Sequence, residues 1–167
     1  MKKVLLSVFV VLMMLSCGEK MSVEKINELE SKVFAKDAVL TAENVIQLVD
    51  AYVLFAEQNP NDQQTPDFLF KALDVAVGVN AEGPQKAIDI ANVLIEKYPD
   101  FEMTPMAMFI KGFVYENMIG DLQNAEMTYR QFIEKYPNNP MVEDVKSTLE
   151  NLGLTPEELI RKFEEAN

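Results

Sequence analysis

The sequence has no histidine and no tryptophan, and its single cysteine is Cys17. Without histidine there is no imidazole base, no Ser-His pair and no histidine-ligated metal site. The six glycines form no glycine-rich phosphate-binding loop. Only carboxylate chemistry remains, and the acidic pairs at predicted helix ends are interpreted more simply as solvated faces. We therefore expect a protein that is not an enzyme and that uses no cofactor and no metal.

Basic residues are also scarce, since 15 lysines and arginines stand against 27 acidic residues, a formal charge of −12. Such a surface repels phosphate backbones and anionic lipid headgroups, which argues against nucleic acid as a partner and against a polybasic membrane contact. A basic partner is permitted by this charge but not shown by it, because acidic faces mostly keep proteins soluble. With 49% apolar residues among 167, the composition is that of one globular domain.

The beginning of the chain is typical of an export signal. Lys2 and Lys3 precede an apolar run over residues 4–15 that only Ser7 interrupts. This is the layout of a secretory signal peptide, and the run is shorter than the about 20 residues that span a bilayer. Residues 1–16 are therefore expected to be a signal peptide outside the folded domain.

The apolar run ends at Met14-Leu15-Ser16-Cys17, which resembles the lipobox of bacterial lipoproteins. The resemblance implies that Cys17 is acylated and becomes the mature amino terminus, with residues 17–21 as a lipidated tether. It also implies a location in the bacterial cell envelope, on the outer membrane facing the periplasm, with membrane contact through this lipid only. The alternative is an ordinary core cysteine, although an oxidising envelope rarely retains a lone thiol at such a position.

The rest of the chain has the pattern of consecutive helices. All eight prolines lie between helical patterns, and no stretch shows the alternation that indicates a strand. Four dipeptides place a capping residue before a proline at the first helical position, namely Thr65-Pro66, Thr104-Pro105, Asn139-Pro140 and Thr155-Pro156. Thr155 and Glu158 also form a capping box. The predicted helices cover residues 22–35, 42–58, 66–79, 84–98, 105–118, 122–136, 140–152 and 156–165.

These helices repeat along the chain. Residues 87–99 align without gaps on residues 125–137 and share six of thirteen positions, and residues 51–61 form a fainter third copy. The prolines that end the helices recur with this spacing, at Pro60, Pro99 and Pro137. The first two Thr-Pro pairs lie 39 residues apart, so the repeat includes the loop and the start of the next helix. A period of 38 to 39 residues that holds two helices is a helical-hairpin repeat.

The residues at fixed positions in the hairpins resemble the tetratricopeptide repeat (TPR). In the best copy, Gly112 and Tyr115 match the small and aromatic positions of the first helix, and one extra residue precedes the turn at Gly120-Asp121. The matching residues of the second helix are Ala125, Tyr129 and Pro137. Gly112 and Ala125 have the small side chains that closely paired helices need, and Pro137 ends the helix.

This resemblance implies an all-α fold, a right-handed α-solenoid of about three TPR-like helical hairpins plus C-terminal capping helices. The hairpins are expected at about residues 22–60, 66–99 and 105–137, with the cap over 140–167, in a single domain of residues 22–167. The chain is similar to TPR lipoproteins of the outer-membrane β-barrel assembly and cell-division coordinator type. That similarity implies a lipid-tethered interaction scaffold.

The segment 22–37 has two interpretations. Its apolar residues Val23, Ile26, Leu29 and Val33 recur at helical spacing. The helix either packs as the first half of the first hairpin or forms a short self-association arm, although two heptads are few for a coiled coil.

In an α-solenoid the first helix of each hairpin lines the concave face, the usual site for an extended peptide or a partner helix. By position, the resemblance implies a partner-binding groove lined by Phe68, Lys71, Val75, Met106, Phe109, Phe113, Glu116 and Asn117. The helix 105–118 is apolar nearly all round, so it is either enclosed by its neighbours or exposes an apolar stripe. Phe109 and Phe113 replace the basic clamp of some relatives, which argues against an acidic peptide terminus as the ligand.

Two functions are compatible with this sequence. The first is a lipid-anchored envelope scaffold or adaptor that binds another envelope protein or peptide through a TPR concave surface, in outer-membrane protein assembly or envelope organisation. The second is a structural subunit of an oligomer, a homo-oligomer included, or of a larger envelope complex, in which the apolar helix is permanently buried.

Overall fold

The computed structural model describes residues 20–38, 41–79 and 82–165, apart from the side chain of Phe163, and the predicted signal peptide and Cys17 lie outside these ranges. Within them the chain forms eight α-helices and no strand. No helix in this part of the chain is long and apolar enough to cross a membrane. The helices are α1 (Val23–Phe34), α2 (Ala42–Gln58), α3 (Thr65–Val77), α4 (Gly83–Lys97), α5 (Thr104–Phe113), α6 (Leu122–Lys135), α7 (Val142–Glu150) and α8 (Pro156–Glu165).

Local capping accounts for the agreement between the predicted and the observed helices. All eight predicted helices are present, and α2 and α8 have the predicted bounds. At the start of α2, Thr41 Oγ1 accepts a hydrogen bond from Asn44 N at 3.1 Å. The predicted capping box of α8 is confirmed, because Thr155 N donates to Glu158 Oε2 at 2.9 Å and Glu158 N donates to Thr155 Oγ1 at 3.2 Å.

The prediction that Thr65 and Thr104 cap their helices is wrong. Each threonine is already the first helical residue, and neither helix has a side-chain cap. Their hydroxyls instead donate backwards to the end of the preceding helix, Thr65 Oγ1 to Asn59 O at 2.6 Å and Thr104 Oγ1 to Tyr98 O at 2.7 Å. Both threonines are fully buried. The threonine therefore closes the loop between two hairpins rather than starting a helix.

The same turn follows α2, α4 and α6. The residues that end these helices, Asn59, Tyr98 and Tyr136, have φ and ψ of −133° and 56°, −129° and 53°, and −125° and 53°. In each turn their carbonyl oxygen accepts a hydrogen bond from the backbone N–H three residues later, at 3.0 to 3.1 Å. The third turn leads to Val142, where α7 begins, so Asn139 is not the cap that was predicted. The repeat in the sequence is thus a repeat of backbone geometry.

Each helix packs against the next one along the chain, so that alternate helices form two layers. In the first layer, α1 and α3 are joined by Lys71 Nζ and Glu30 Oε1 at 2.8 Å. In the second layer, α2 and α4 are joined by Lys86 Nζ and Asp50 Oδ1 at 2.7 Å. We call α1, α3 and α5 the first layer, and α2, α4 and α6 the second layer. This arrangement confirms the predicted fold class, an α-solenoid of stacked helical hairpins.

The hydrophobic core runs between the two layers. α1 packs against α2 and buries Ile26 and Val33, which confirms that residues 22–37 contribute the first half of a hairpin. At the other end, Val142 and Val145 of α7 pack over α6. The largest fully buried side chains include Leu48, Tyr52, Leu69, Leu73, Leu94, Tyr129 and Phe132.

Replacing Thr104 by valine should lower the free energy of unfolding by about 1 to 2 kcal/mol, because a buried turn loses its hydroxyl donor. Thr148→Val is the matched control. The Thr148 hydroxyl donates to Asp144 O at 3.0 Å on an exposed part of α7, so its loss should change stability by less than about 0.5 kcal/mol. Urea unfolding followed by circular dichroism measures both variants. Equal destabilisation of the two would contradict the role of Thr104 in the turn.

Candidate partner-binding surface

The end of α5 accounts for the extra residue that precedes Gly120 in the sequence. α5 continues directly into a π-helical turn, Val114–Ile119, a widened turn of the kind that helices contain as single bulges. The chain then reverses at Gly120, whose φ of 77° lies in the region that glycine adopts without strain. Asp121 N closes the reversal by donating to Tyr115 O at 2.8 Å. The wider turn therefore keeps the hairpin intact.

Gly112 and Tyr129 hold the two helices of this hairpin together. A Cβ at Gly112 would lie 2.3 Å from Tyr129 Cε1, so the close approach predicted at Gly112 is confirmed. The Tyr129 ring is buried, with its centroid 5.9 Å from that of Phe109, and its hydroxyl donates to Glu116 Oε2 at 2.9 Å. Burial raises the pKa of Tyr129, and the hydrogen bond and the charge of Glu116 raise it further. Tyr129 thus positions the side chains of α5 and its π-helical turn.

Five of the predicted groove residues lie on α5 and the π-helical turn, namely Met106, Phe109, Phe113, Glu116 and Asn117. Phe113 is 41% exposed, and Asn117 is exposed as well. The other three are half-buried, and two of them contact Tyr129. α5 is therefore not enclosed on every side, and Phe113 is its most accessible large apolar side chain.

The predicted groove on α3 is displaced by one residue. The predicted residues Phe68, Lys71 and Val75 lie 38 residues before Met106, Phe109 and Phe113. The two buried threonines that begin α3 and α5 are 39 residues apart, and this offset matches Asp74 rather than Val75 to Phe113. Phe68 is only 5% exposed, and its ring stacks on Tyr52 with the centroids 5.6 Å apart. The assignment of Phe68 to a groove is therefore wrong, because this side chain is part of the core.

Lys71 and Val75 do line a surface pocket, of about 240 Å³, between α1, α2 and α3. We call it the α1–α3 pocket, and its other lining residues are Glu30, Phe34, Tyr52 and Asp74. Glu30 Oε1 accepts two hydrogen bonds, from the Tyr52 hydroxyl at 2.6 Å and from Lys71 Nζ at 2.8 Å. These three polar side chains come from three helices, so the pocket exists only in the folded stack.

The polar groups of the α1–α3 pocket stabilise one another in fixed charge states. Burial acts to raise the pKa of Glu30, but the hydrogen bonds from Lys71 and Tyr52 outweigh it, and the pKa is lowered. Burial, together with the hydrogen bond to Glu30, raises the pKa of Tyr52. Glu30 is therefore a charged acceptor and Tyr52 a neutral donor near neutral pH. Among the described residues, no group of acidic side chains is arranged to hold a metal ion.

The sequence pattern did not predict Glu30, Phe34, Tyr52 or Asp74 as site residues. One signal does point to Tyr52, since it lies two repeat periods before Tyr129. Both tyrosines are buried in the second layer, and both donate their hydroxyl to a glutamate of the first helix in the same hairpin. α1 begins without the Thr-Pro pair of α3 and α5, so its residues could not be placed in register by that marker.

Residues 106–139 match the family model of the tetratricopeptide repeat. The matched range runs from the first turn of α5 through α6 to the turn after it, and it includes both Gly112 and Tyr129. The chain contains a tetratricopeptide repeat. No curated protein matches this chain. Tetratricopeptide repeats are typically non-catalytic modules that bind protein partners, so protein binding is the class of function that this repeat indicates.

Replacing Gly112 by alanine should lower the free energy of unfolding by about 1 to 3 kcal/mol, because the new methyl group overlaps the ring of Tyr129. Helix propensity acts in the opposite direction, since alanine is favoured over glycine by about 1 kcal/mol in a helix. A net loss would therefore be steric. Denaturant unfolding measures the difference.

Gly78→Ala is the matched control for this substitution. Gly78 ends α3, and the nearest atom to an added Cβ is Val75 O at 3.4 Å, an ordinary contact. Its replacement should leave stability unchanged or slightly increased. A Gly112→Ala variant as stable as Gly78→Ala would show that the hairpin tolerates a wider crossing than the structure has.

Proposed function

We propose that this protein is a lipid-anchored scaffold or adaptor of the bacterial cell envelope that binds another envelope protein through its first layer of helices. The observation that carries the proposal is that this layer bears both the α1–α3 pocket and the exposed ring of Phe113. The tetratricopeptide repeat at residues 106–139 supports protein binding. An extended peptide or a helix that lies across α1, α3 and α5 would contact both features.

The proposed lipid anchor rests on the sequence before α1. The apolar run over residues 4–15 and the lipobox-like Met14-Leu15-Ser16-Cys17 support acylation of Cys17. Met21 N donates to Gln58 Oε1 at 2.7 Å, which ties the start of the folded part to the end of α2. Four residues of extended chain reach at most about 14 Å. An acylated Cys17 would therefore hold the first hairpin close to the bilayer.

The proposed location is the outer membrane, facing the periplasm, and the proposed process is outer-membrane protein assembly or envelope organisation. The formal charge of −12 opposes attraction to anionic lipid headgroups and to nucleic acid. The lipid is thus the one membrane contact in this proposal, and the partner is an envelope protein or peptide.

A different set of side chains favours a second function. Ile119, Leu122 and Met127 are 46%, 43% and 50% exposed, and they lie on the π-helical turn and on α6 rather than on the helices of the first layer. If a copy of this chain or a larger envelope complex covers them permanently, the protein is a structural subunit. A mass in solution that corresponds to an oligomer at every concentration would favour this second function.

Replacing Cys17 by alanine should abolish incorporation of an alkyne-labelled fatty acid when the protein is expressed in its own host, because the thiol that accepts the acyl chain is gone. Gly18→Ala is the control and should keep the label, since it leaves the thiol in place. In-gel fluorescence after coupling to the alkyne measures both. An unlabelled wild-type protein would rule out the lipid anchor.

Replacing Phe113 by glutamate should abolish recovery of the partner after mild crosslinking, pull-down from the native host and mass spectrometry. The substitution places a charge where an apolar ring is exposed, so the helical circular dichroism should stay unchanged. Met127→Glu is the matched control, because it adds the same charge at a similarly exposed apolar residue of α6. It should keep the partner.

The opposite result, loss of the partner in Met127→Glu alone, would favour the structural subunit. Recovery of self-crosslinks only, with no stoichiometric envelope protein, would contradict the adaptor function.

A further inference from the structure

The α1–α3 pocket has more acceptor oxygens than its own donors use. Both hydrogen bonds to Glu30 end on Oε1, and its Oε2 accepts none from the described residues. Asp74 lines the same pocket, is exposed, and forms no hydrogen bond or ion pair within this part of the chain. Two carboxylates therefore stand against a single ammonium, that of Lys71, which is already bonded to Glu30. The pocket has an unbalanced negative charge.

Phe34 adds an aromatic wall to this negative pocket. It is the last residue of α1, and 61% of its surface is exposed. The face of an aromatic ring attracts a cation, and a guanidinium can stack on the ring while it donates to carboxylate oxygens. Val75 is half-buried at the same site and offers apolar surface to the methylene stem of a long side chain.

The size of the pocket selects the kind of ligand. At about 240 Å³ it is smaller than the clefts of about 300 to 1,000 Å³ that hold small-molecule ligands. It also opens beside α3 in the first layer, where the proposed partner lies. A single long side chain that projects from the partner therefore fits the site better than a free metabolite.

We infer that the α1–α3 pocket binds an arginine side chain of the partner protein, with the guanidinium on Asp74 and Glu30 Oε2 and against the ring of Phe34. The inference rests on the proposed function, because it names the chemistry of the partner that binds the first layer. The formal charge of the whole chain acts in the same direction, since a charge of −12 attracts a basic segment. An acidic side chain fits less well, because Lys71 is paired with Glu30 and a third carboxylate would be repelled.

The test uses the full chain, purified in detergent from the membranes of its host, and saturation-transfer NMR. The probe is N-acetyl-arginine amide, and its uncharged counterpart N-acetyl-citrulline amide has nearly the same shape. The arginine probe should bind with a dissociation constant in the millimolar range, and the citrulline probe should bind at least about tenfold more weakly. Asp74→Asn should weaken binding of the arginine probe by about fivefold or more.

Asp67→Asn is the matched control for Asp74→Asn. Asp67 is also exposed on α3 and its replacement changes the net charge equally, but it does not line the pocket. Binding of the arginine probe to this variant should equal that of the wild type. An equal loss in both variants would mean that the probe responds to the overall charge alone, which would overturn the inference.

Two further outcomes would also overturn the inference. One is equal binding of the arginine and citrulline probes, or no binding of either. The other is stronger binding of N-acetyl-glutamate amide, which would make Lys71 the recognising group.

The failure of this inference can be separated from the failure of the proposed function. If the pull-down recovers an envelope partner that Phe113→Glu loses and Asp74→Asn keeps, the adaptor function stands and the arginine site is wrong. If the arginine probe binds in the pocket but the pull-down finds no partner, the site stands without the adaptor function.

Discussion

The turn that follows each hairpin is the constraint on which the rest of this structure depends. A helical hairpin cannot cover its own apolar face, so it needs its neighbour at a defined distance and angle. Asn59, Tyr98 and Tyr136 leave their helices with nearly the same backbone angles. In the first two turns a buried threonine donates back to that residue and joins the start of one hairpin to the end of another. Because the turn is the same, each added hairpin continues the stack.

Within this stack, the last hairpin differs from the others in the way that it brings its helices together. Gly112 allows the ring of Tyr129 to lie against α5, and the π-helical turn after Phe113 takes up one extra residue. The Tyr129 hydroxyl then bonds to Glu116 on that turn. As a result the polar and aromatic groups near Tyr129 are used internally, and Phe113 remains accessible. The surface that this hairpin offers to a partner is thus defined by what its packing leaves unused.

The first layer combines two kinds of surface at different positions along the stack. Near the beginning, the α1–α3 pocket has fixed charges, because Glu30 holds both Tyr52 and Lys71 while Asp74 has no partner among the described residues. Near the end, the layer has an exposed aromatic ring, Phe113. A partner that lies along this layer meets a polar site and an apolar site in a fixed order. Such an arrangement supports selection of one orientation of the bound segment.

The sequence by itself determined the helices and their repetition, because caps, prolines and helical periodicity act over a few residues. All eight helices, the capping box at Thr155 and the close approach at Gly112 follow from such local signals. Only the tertiary structure decided which side chains reach the surface. A shift of one residue along α3 placed Phe68 in the core, and the α1–α3 pocket needed three helices to meet at Glu30. Burial and long-range contact depend on how the hairpins stack, which no local pattern of residues encodes.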